Sequence, residues 1–314
     1  MKLGNVSRTC GLMIPLLMLV GCTSWQPPQE QFIDTEVDTR NRLHATYLGA
    51  TSLVISDGKD TILFDGFFTR KSLFGLFTDK MVSDEGIVLD GLKRAGIYRK
   101  KVSALFIAHN HYDHAIDAFT VAKHTNTTIY APPETLNLKD YAHEKTLVDN
   151  EEYVLGDFKV RALLTPHVEK SKLVKLTESV INWLSDGENY KHAPHAYSFL
   201  ITHRNKQILI VPSANFKEVD QLEADIVFLG VGLLGSRPKI ETQKLWQNAV
   251  EKTDASLVIP IHWDNITETI GNQIPPIPWY VDDLKKTMKR LNSYAEKSEG
   301  IQILYPPAFV KFVL

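Results

Sequence analysis

Three histidines and two aspartates stand in ALFIAHNHYDHAID, residues 104–117, directly after a run of apolar residues. In an extended segment alternate side chains share a face, so His109 and His111 can point the same way, with Asp113 at the same interval and His114 next. Imidazole nitrogens and carboxylate oxygens are good zinc ligands, and a catalytic zinc site keeps a position open for water. The alternative is a polar loop that happens to be rich in histidine. Four candidate ligands within six residues favour a metal site.

Two further histidines occupy similar positions in the chain. His167 lies in VRALLTPHVEK and His262 lies in LVIPIHWDN, and each follows an apolar run that predicts a strand. Strand ends bring residues to one rim of a sheet, so the three histidine-containing segments could meet there. Unrelated histidines at two strand ends are the alternative, but the repeated placement favours a shared metal centre.

The elements that must position these residues alternate between strands and helices. Short apolar runs separated by GAT and DGKD predict strands at 43–48, 52–56 and 61–65, and SDEGIVLDGLKRAG predicts a helix at 83–96. A buried strand then leads into the first histidine motif, and strands and helices continue to the C-terminus. The pattern predicts a layered α/β domain over residues 43–314.

The N-terminus predicts export from the cytoplasm. Two basic residues precede CGLMIPLLMLVGC, an apolar stretch of signal-peptide length that is short for a membrane span. Its end, LVGC, resembles the lipobox of bacterial lipoproteins, which implies removal of residues 1–21 and acylation of Cys22. An uncleaved anchor or an ordinary secretory signal is the alternative. The resemblance implies a protein of the bacterial cell envelope, held in the membrane through Cys22. Because Thr23 and Ser24 carry no inner-membrane retention signal, we expect the outer membrane, facing the periplasm.

Residues 22–42 comprise the predicted lipidated Cys22 and a polar segment with a Pro-Pro pair, which predicts a tether. The other cysteine, Cys10, lies in the segment predicted to be removed, so the mature chain has no disulfide. Removal of residues 1–21 deletes two positive charges and takes the formal charge from −2 to −4. A mildly acidic chain without a basic stripe gives no reason to expect a nucleic-acid partner. The sequence leaves the oligomeric state open.

The histidine motif HNHYDH, residues 109–114, resembles the HxHxDH signature of the metallo-β-lactamase superfamily. Three further stretches resemble other segments of that family: YLGATSLVISDGKDTILFDGF, GDFKVRALLTPH and VIPIHWDN. The residues of the motifs are most similar to those of the branch with N-acyl-phosphatidylethanolamine phospholipase D and ascorbate-6-phosphate lactonase-like proteins. The resemblance implies an αββα sandwich with two face-to-face sheets, helices outside, and a binuclear site on one edge. It implies one metal held by His109, His111 and His167, and a second held by Asp113, His114 and His262.

One residue departs from that resemblance. Most hydrolases of the branch carry a bridging aspartate after a strand, and here ILIVPSANF puts Ser213 in that place. A serine hydroxyl is a weaker ligand than a carboxylate, so we expect the second metal to bind more weakly. Asn215 or His195 could compensate.

Three other residues near the expected rim have open roles. Asp65 ends its strand as the family's hairpin aspartate does, and it is either the partner of a ligand histidine or the cap of a turn. The same two interpretations apply to Asp117. His195, in NYKHAPHAYSF, is a candidate for contact with the substrate or its oxyanion.

These residues favour a zinc-dependent hydrolase with one or two zinc ions, although other divalent metals fit the same ligands. Zinc lowers the pKa of bound water to about 7 and so supplies a hydroxide nucleophile, while Asp113 can orient that water and take part in proton transfer. The substrate would be an ester, lactone, amide or phosphodiester. Apolar residues in 67–77 and 172–184 keep a lipid-like substrate possible, although the second segment also fits ordinary helix packing. The alternatives are a β-lactam hydrolase and a metal-binding envelope lipoprotein without turnover.

Overall fold

A computed structural model describes residues 25–167, 190, 193–271 and 273–314. Cys22, the apolar N-terminal run and the segment 172–184 lie outside these residues, so the predictions about them are untested. Among the described residues no helix has the length and apolar character that crossing a bilayer requires.

The first sheet is mixed and contains seven strands among the described residues. The strands on one side of the sheet pair antiparallel, and the strands from the central one to the other edge pair parallel. In spatial order the strands are β14 (Lys311–Val313), β1 (His44–Gly49), β2 (Ser52–Ser56), β3 (Thr61–Phe64), β4 (Ala104–Phe106), β5 (Ile129–Ala131) and β6 (Glu144–Thr146).

The second sheet also contains seven strands among the described residues. Its strands are antiparallel on one side and parallel on the other. In spatial order they are β13 (Gln302–Ile303), β12 (Leu257–Ile261), β11 (Ile226–Gly230), β10 (Lys206–Val211), β9 (Ala196–His203), β8 (Phe158–Thr165) and β7 (Glu152–Leu155).

Helices cover the outer faces of both sheets. A helix begins at Glu85 as the sequence predicts, because the Asp84 side chain accepts a hydrogen bond from the Ile87 amide at its first turn. In chain order the helices are α1 (Gly75–Thr78), α2 (Glu85–Arg94), α3 (Tyr112–Ala115), α4 (Ala118–Thr125), α5 (Pro133–Leu136), α6 (Lys239–Ala249) and α7 (Leu284–Ala295).

Strand β1 shows how the layers share the apolar residues. Every residue of β1 is buried, since both faces of its sheet are covered. Tyr47 contributes to the core between the sheets, whereas Leu48, on the opposite face, packs with Val88 and Leu92 of α2. The αββα sandwich predicted from the sequence is confirmed.

The predicted tether differs from the structure. Trp25, Phe32 and Ile33 pack against the core between the sheets, and the Ile33 amide donates to the carbonyl of Tyr305 at 3.0 Å. The sequence of residues 22–42 did not predict these contacts, because the segment is mostly polar and its apolar residues show no helix or strand periodicity. Trp25, Phe32 and Ile33, which fall in the predicted tether, are therefore packed against the domain.

Candidate metal centre

Strand ends deliver the predicted ligands to one edge of the sandwich. His109 lies three residues beyond β4, His167 two residues beyond β8, and His262 directly after β12. The chain turns into α3 after His111, and this turn places Asp113 beside the same edge. The six residues predicted as ligands thus lie together in two groups of three.

The first group consists of His109, His111 and His167. The His109 Nε2 atom lies 3.0 Å from Nδ1 of His111 and 3.2 Å from Nε2 of His167. Two nitrogens that each bind zinc at about 2.0–2.1 Å in tetrahedral geometry would lie roughly 3.4 Å apart. The three imidazoles therefore fit a single zinc-sized ion.

The second group consists of Asp113, His114 and His262. The Asp113 Oδ2 atom lies 3.1 Å from Nε2 of His262 and 3.6 Å from Nε2 of His114. The rings of His109 and His114 are 3.8 Å apart between centroids, so the two groups adjoin. The donor set, one carboxylate and two imidazoles, suits zinc and other first-row divalent metals.

Asp65 orients one of these ligands. Its Oδ2 atom lies 2.8 Å from Nδ1 of His114, and its Oδ1 atom accepts the Ala108 amide at 2.8 Å. Because Nδ1 of His114 faces a carboxylate, its proton belongs there and Nε2 is left to bind a metal. Thr51 donates its hydroxyl to the same carboxylate. Of the two roles predicted for Asp65, the structure shows the partner of a ligand histidine.

A buried network holds the backbone of His262. The His262 amide donates to the carbonyl of Ala50 at 2.8 Å, and the Ala50 amide donates to Asp264 at 2.8 Å. Arg70 forms an ion pair with Asp264 at 2.7 Å, with both side chains almost fully buried. Asp65 and His262 have positive φ angles of 56° and 57°, which non-glycine residues rarely adopt outside sites that surrounding contacts hold in place.

Burial and neighbouring charges set the protonation of the centre. Burial, together with the surrounding histidines, holds the pKa of His109 well below its usual value, so the ring is neutral. Burial would raise the pKa of Asp113, but His114 and the hydrogen bond from His262 outweigh it and hold that pKa well below its usual value. A neutral His109 and an ionised Asp113 are in the protonation states that metal binding requires.

Ser213 lies at the edge of the sandwich that carries the candidate metal centre. Parallel pairing aligns Val211 with Leu229 and Gly230 with Ile261, so the residues after β10, β11 and β12 reach the same edge. Ser213 is buried there, and the Asn215 side chain donates to the carbonyl of His167 at 3.4 Å. Asn215 therefore contacts the backbone of a ligand residue.

His195 belongs to neither group of ligands. It is partly exposed, its Nδ1 atom lies 3.1 Å from a carboxylate oxygen of Glu134, and its amide donates to the same carboxylate. Glu134 lies in α5, whose Thr135 hydroxyl donates to the Asn110 side chain inside the histidine motif. His195 is thus connected to the rim of the centre through α5.

Asp117 fixes a neighbouring loop. Its buried carboxylate accepts the amides of Phe68 and Thr69 at 2.8 and 2.6 Å, and the hydroxyls of Thr69 and Ser83 at 2.6 Å. Burial raises the pKa of Asp117 despite these bonds. Of the two roles predicted for Asp117, the structure favours the turn-capping one.

Another histidine and carboxylate group, Asp57, Asp157 and His203, occurs among the described residues. His203 Nε2 lies 3.1 Å from Asp57, and Asp157 lies 3.7 Å from Arg204. Asp57 begins the turn between β2 and β3, at the opposite end of β2 from Thr51. These ion pairs account for the group without a metal.

Sequence reasoning missed Thr51, Asp264 and Glu134. Each of the three contacts a residue that is distant in the chain. The spacing of residues within the histidine motif therefore does not indicate these contacts. The one available signal was the position of Asp264, two residues after His262 in IHWDN.

The sequence pattern of the metallo-beta-lactamase superfamily matches residues 45–262, which span all six predicted ligands. The chain belongs to the metallo-beta-lactamase superfamily. This superfamily protein is 24% identical over 169 residues to a UPF0173 metal-dependent hydrolase from Heliobacterium modesticaldum, an alignment covering 53% of the chain and 57% of that relative. The chain thus spans little more than half the length of this curated relative. The matched residues include both candidate metal-binding groups.

Solved structures share the fold of this superfamily protein at low identity. The metallo-beta-lactamase fold protein YhfI from Bacillus subtilis is 13% identical with a TM-score of 0.53, covering 87% of the chain and 99% of YhfI. Unliganded yeast PDE1 gives the same identity, TM-score and coverage. Igni18, a metallo hydrolase from Ignicoccus hospitalis, is 14% identical with a TM-score of 0.50, and the alignment covers 87% and 99% of the two chains. These likenesses concern the fold.

Proposed function

We propose that the protein is a zinc-dependent hydrolase of an ester, lactone, amide or phosphodiester in the bacterial cell envelope. The observation that carries the proposal is the convergence of three imidazole nitrogens, 3.0 and 3.2 Å apart, beside a group with one carboxylate and two imidazoles. A structural zinc site is closed by four protein ligands, whereas three ligands leave a position for water or substrate. The three-ligand groups thus support turnover rather than a purely structural metal.

The chain's own residues supply orientation and proton transfer. The chemistry supplied by bound zinc is the polarisation of a substrate oxygen and a lowering of the pKa of water to about 7. Asp113 is ionised and its carboxylate faces both His114 and His262, so it can orient the attacking water and take part in proton transfer. The contact of His195 with Glu134 at the rim supports the proposal that His195 binds the substrate or its oxyanion.

The proposed location rests on the N-terminal sequence. The apolar segment ending in LVGC supports cleavage before Cys22 and acylation of that residue. Several acyl chains, each worth about 0.8 kcal/mol per buried methylene, would hold the protein stably in a bilayer. An outer-membrane position facing the periplasm follows from the residues after Cys22.

The decisive experiment measures metal content and turnover on the same preparation. The protein is stripped with a chelator, reloaded with zinc, analysed for bound metal, and assayed with ester, lactone, amide, phosphodiester and β-lactam substrates. We expect between one and two zinc ions and hydrolysis of at least one substrate. Binding below about a tenth of an equivalent would contradict the proposal, because tight zinc sites fill completely.

The same assays separate the two alternatives. Buried Ser213, where most hydrolases of the resembled branch would place a carboxylate, favours a β-lactam hydrolase as the second candidate. Turnover confined to the β-lactam would select that candidate. Full metal content without turnover of any substrate would select a metal-binding envelope lipoprotein.

A further inference from the structure

Exposed aromatic residues are concentrated in two loops. Among the described residues, the exposed aromatic side chains are those of Phe74, Trp279 and Tyr280, with 76%, 65% and 59% of their surface accessible. Leu73, Val82 and Val281 are also exposed in the same two loops. Exposed apolar side chains that are grouped, unlike single ones, mark surfaces that contact a membrane or another protein. We name residues 67–82 and 263–282 the rim loops.

Both rim loops are attached to the metal-binding motif. The Phe67 ring lies edge-on to the Tyr112 ring at 5.4 Å, and the Tyr112 hydroxyl donates to the carbonyl of Ile266 at 3.0 Å. Arg70 connects the loops directly, since its guanidinium donates to the carbonyl of Asn265 at 2.9 Å. Tyr112 lies between His111 and Asp113, so the rim loops border the metal centre.

The N-terminal end of the described chain reaches the same region. The Trp25 ring packs against Trp263 at 6.0 Å, and Trp263 directly follows the ligand His262. Its neighbour Gln26 donates to the carbonyl of Ile274 in the second rim loop at 3.4 Å. Cys22 is three residues before Trp25, a span of at most about 10 Å. An acyl group on Cys22 would therefore enter the bilayer close to the second rim loop.

We propose that the rim loops bind the lipid bilayer that holds Cys22, so that the metal centre opens on the membrane surface. The inference rests on the lipid anchor of the proposed function. Tryptophan and tyrosine favour the interface between hydrocarbon and water, because each has an apolar ring and a polar group. Trp279 and Tyr280 are consecutive, exposed and attached through Ile277, whose amide donates to the carbonyl of Trp263 at 2.9 Å. They lie on the segment that the anchor would bring to the bilayer.

The test places a reporter in each rim loop of the full-length protein. Trp279→Cys and Phe74→Cys variants are labelled with a polarity-sensitive fluorophore, since in the acylated mature chain the introduced cysteine is the only free thiol. Each is reconstituted into phosphatidylethanolamine and phosphatidylglycerol vesicles, with and without lipids that quench fluorescence inside the bilayer. Val154→Cys is the matched control, because Val154 is 65% exposed, like Trp279, but lies next to the β7–β8 turn. The β7–β8 turn lies at the end of the sandwich away from the ligands. Its Gly156 is so close to Asp60, at that same end, that a side chain at Gly156 would overlap Asp60.

We expect labels at 279 and 74 to shift to shorter emission wavelength and to be quenched at least about twofold more than the label at 154. Two results in acylated, membrane-bound protein would overturn the inference: equal quenching at all three positions, or no quenching at 279 and 74. Neither result would contradict the lipid anchor at Cys22. Mass spectrometry showing an unmodified Cys22 would instead reject the anchor itself. A shift that depends on protein concentration and occurs without lipid would assign the surface to a second copy of the chain.

Discussion

At the scale of single residues, a substitution at His111 tests metal binding and folding separately. Its side chain is partly exposed at the N-terminus of α3 and is absent from the apolar core. We expect His111→Ala to leave the free energy of unfolding nearly unchanged and to lower turnover by more than about 100-fold, because loss of a mere partner of a ligand already costs 10–100-fold.

Elemental analysis, chemical denaturation and the substrate assay check this prediction on one preparation. The control is His143→Ala, since His143 is exposed and outside both ligand groups. Turnover of the His111 variant equal to that of the His143 variant would show that His111 binds no catalytic metal.

Ser213 tests the missing carboxylate. Ser213→Asp would add a negative charge at the edge where the strand carrying His262 also ends. We expect the weaker of the two zinc affinities to rise on the order of tenfold, equivalent to about 1.4 kcal/mol. Calorimetric zinc titration measures this effect, with Ser213→Asn as a control of nearly equal volume without charge. An equal affinity in the two variants would show that the residue does not face the metal.

The convergence of the six candidate ligands could be predicted because each follows an apolar strand or lies in the motif next to one. Their partners could not. Asp264 acts on the metal centre through Ala50, 214 positions away, and Glu134 holds His195 across 61 positions. Contacts of this kind depend on how the two sheets face each other, which no local pattern records.

Among the elements, the end of β1 before β2 has a strict steric requirement. Gly49 has a φ of 95°, and a methyl group there would overlap Ile270 and Arg70. We expect Gly49→Ala to lower the free energy of unfolding by about 2–4 kcal/mol, from the left-handed backbone and the overlap together. The strand pair that carries Thr51 would then be disturbed.

Gly58→Ala is the matched control, measured in the same urea-unfolding experiment. Gly58 has a φ of 91°, but its nearest neighbours would lie 3.5 Å or more from the added methyl group. We expect it to cost only about 1–2 kcal/mol, the backbone contribution alone. Losses of equal size in both variants would mean that Ile270 and Arg70 can move aside.

Most strands and the main helices could be predicted, because apolar periodicity and caps are local signals. The position of α2 illustrates this: Asp84 begins it and basic residues end it, and both features stand in the sequence. The order of the strands could not be predicted. Nothing local in the last residues of the chain indicates that β14 pairs with β1.

At the scale of the whole molecule, Trp25 joins the N-terminal segment to the core between the two sheets. It contacts both Trp263 and Tyr305, at 6.0 and 5.5 Å between ring centroids. We expect Trp25→Ala to lower the free energy of unfolding by about 2 kcal/mol, less than for a fully buried tryptophan because Trp25 is partly exposed.

Circular dichroism during urea unfolding measures the Trp25 effect without relying on tryptophan emission. Trp279→Ala is the control, since its side chain is 65% exposed and should change the free energy of unfolding by less than about 0.5 kcal/mol. A Trp25 variant as stable as this control would mean that the segment before β1 contributes nothing to the domain.

The pairing of β1 with β14 also has a consequence for the timing of folding. Ala45 lies opposite Phe312, so the first sheet cannot be completed until the last residues of the chain are present. Contacts of such long sequence separation slow folding, because the loop entropy is lost before the contact is gained. A chain that crosses a membrane N-terminus first must stay unfolded during transit. Under the proposed export, the late closure of this sheet would delay folding of the chain until β14 is available.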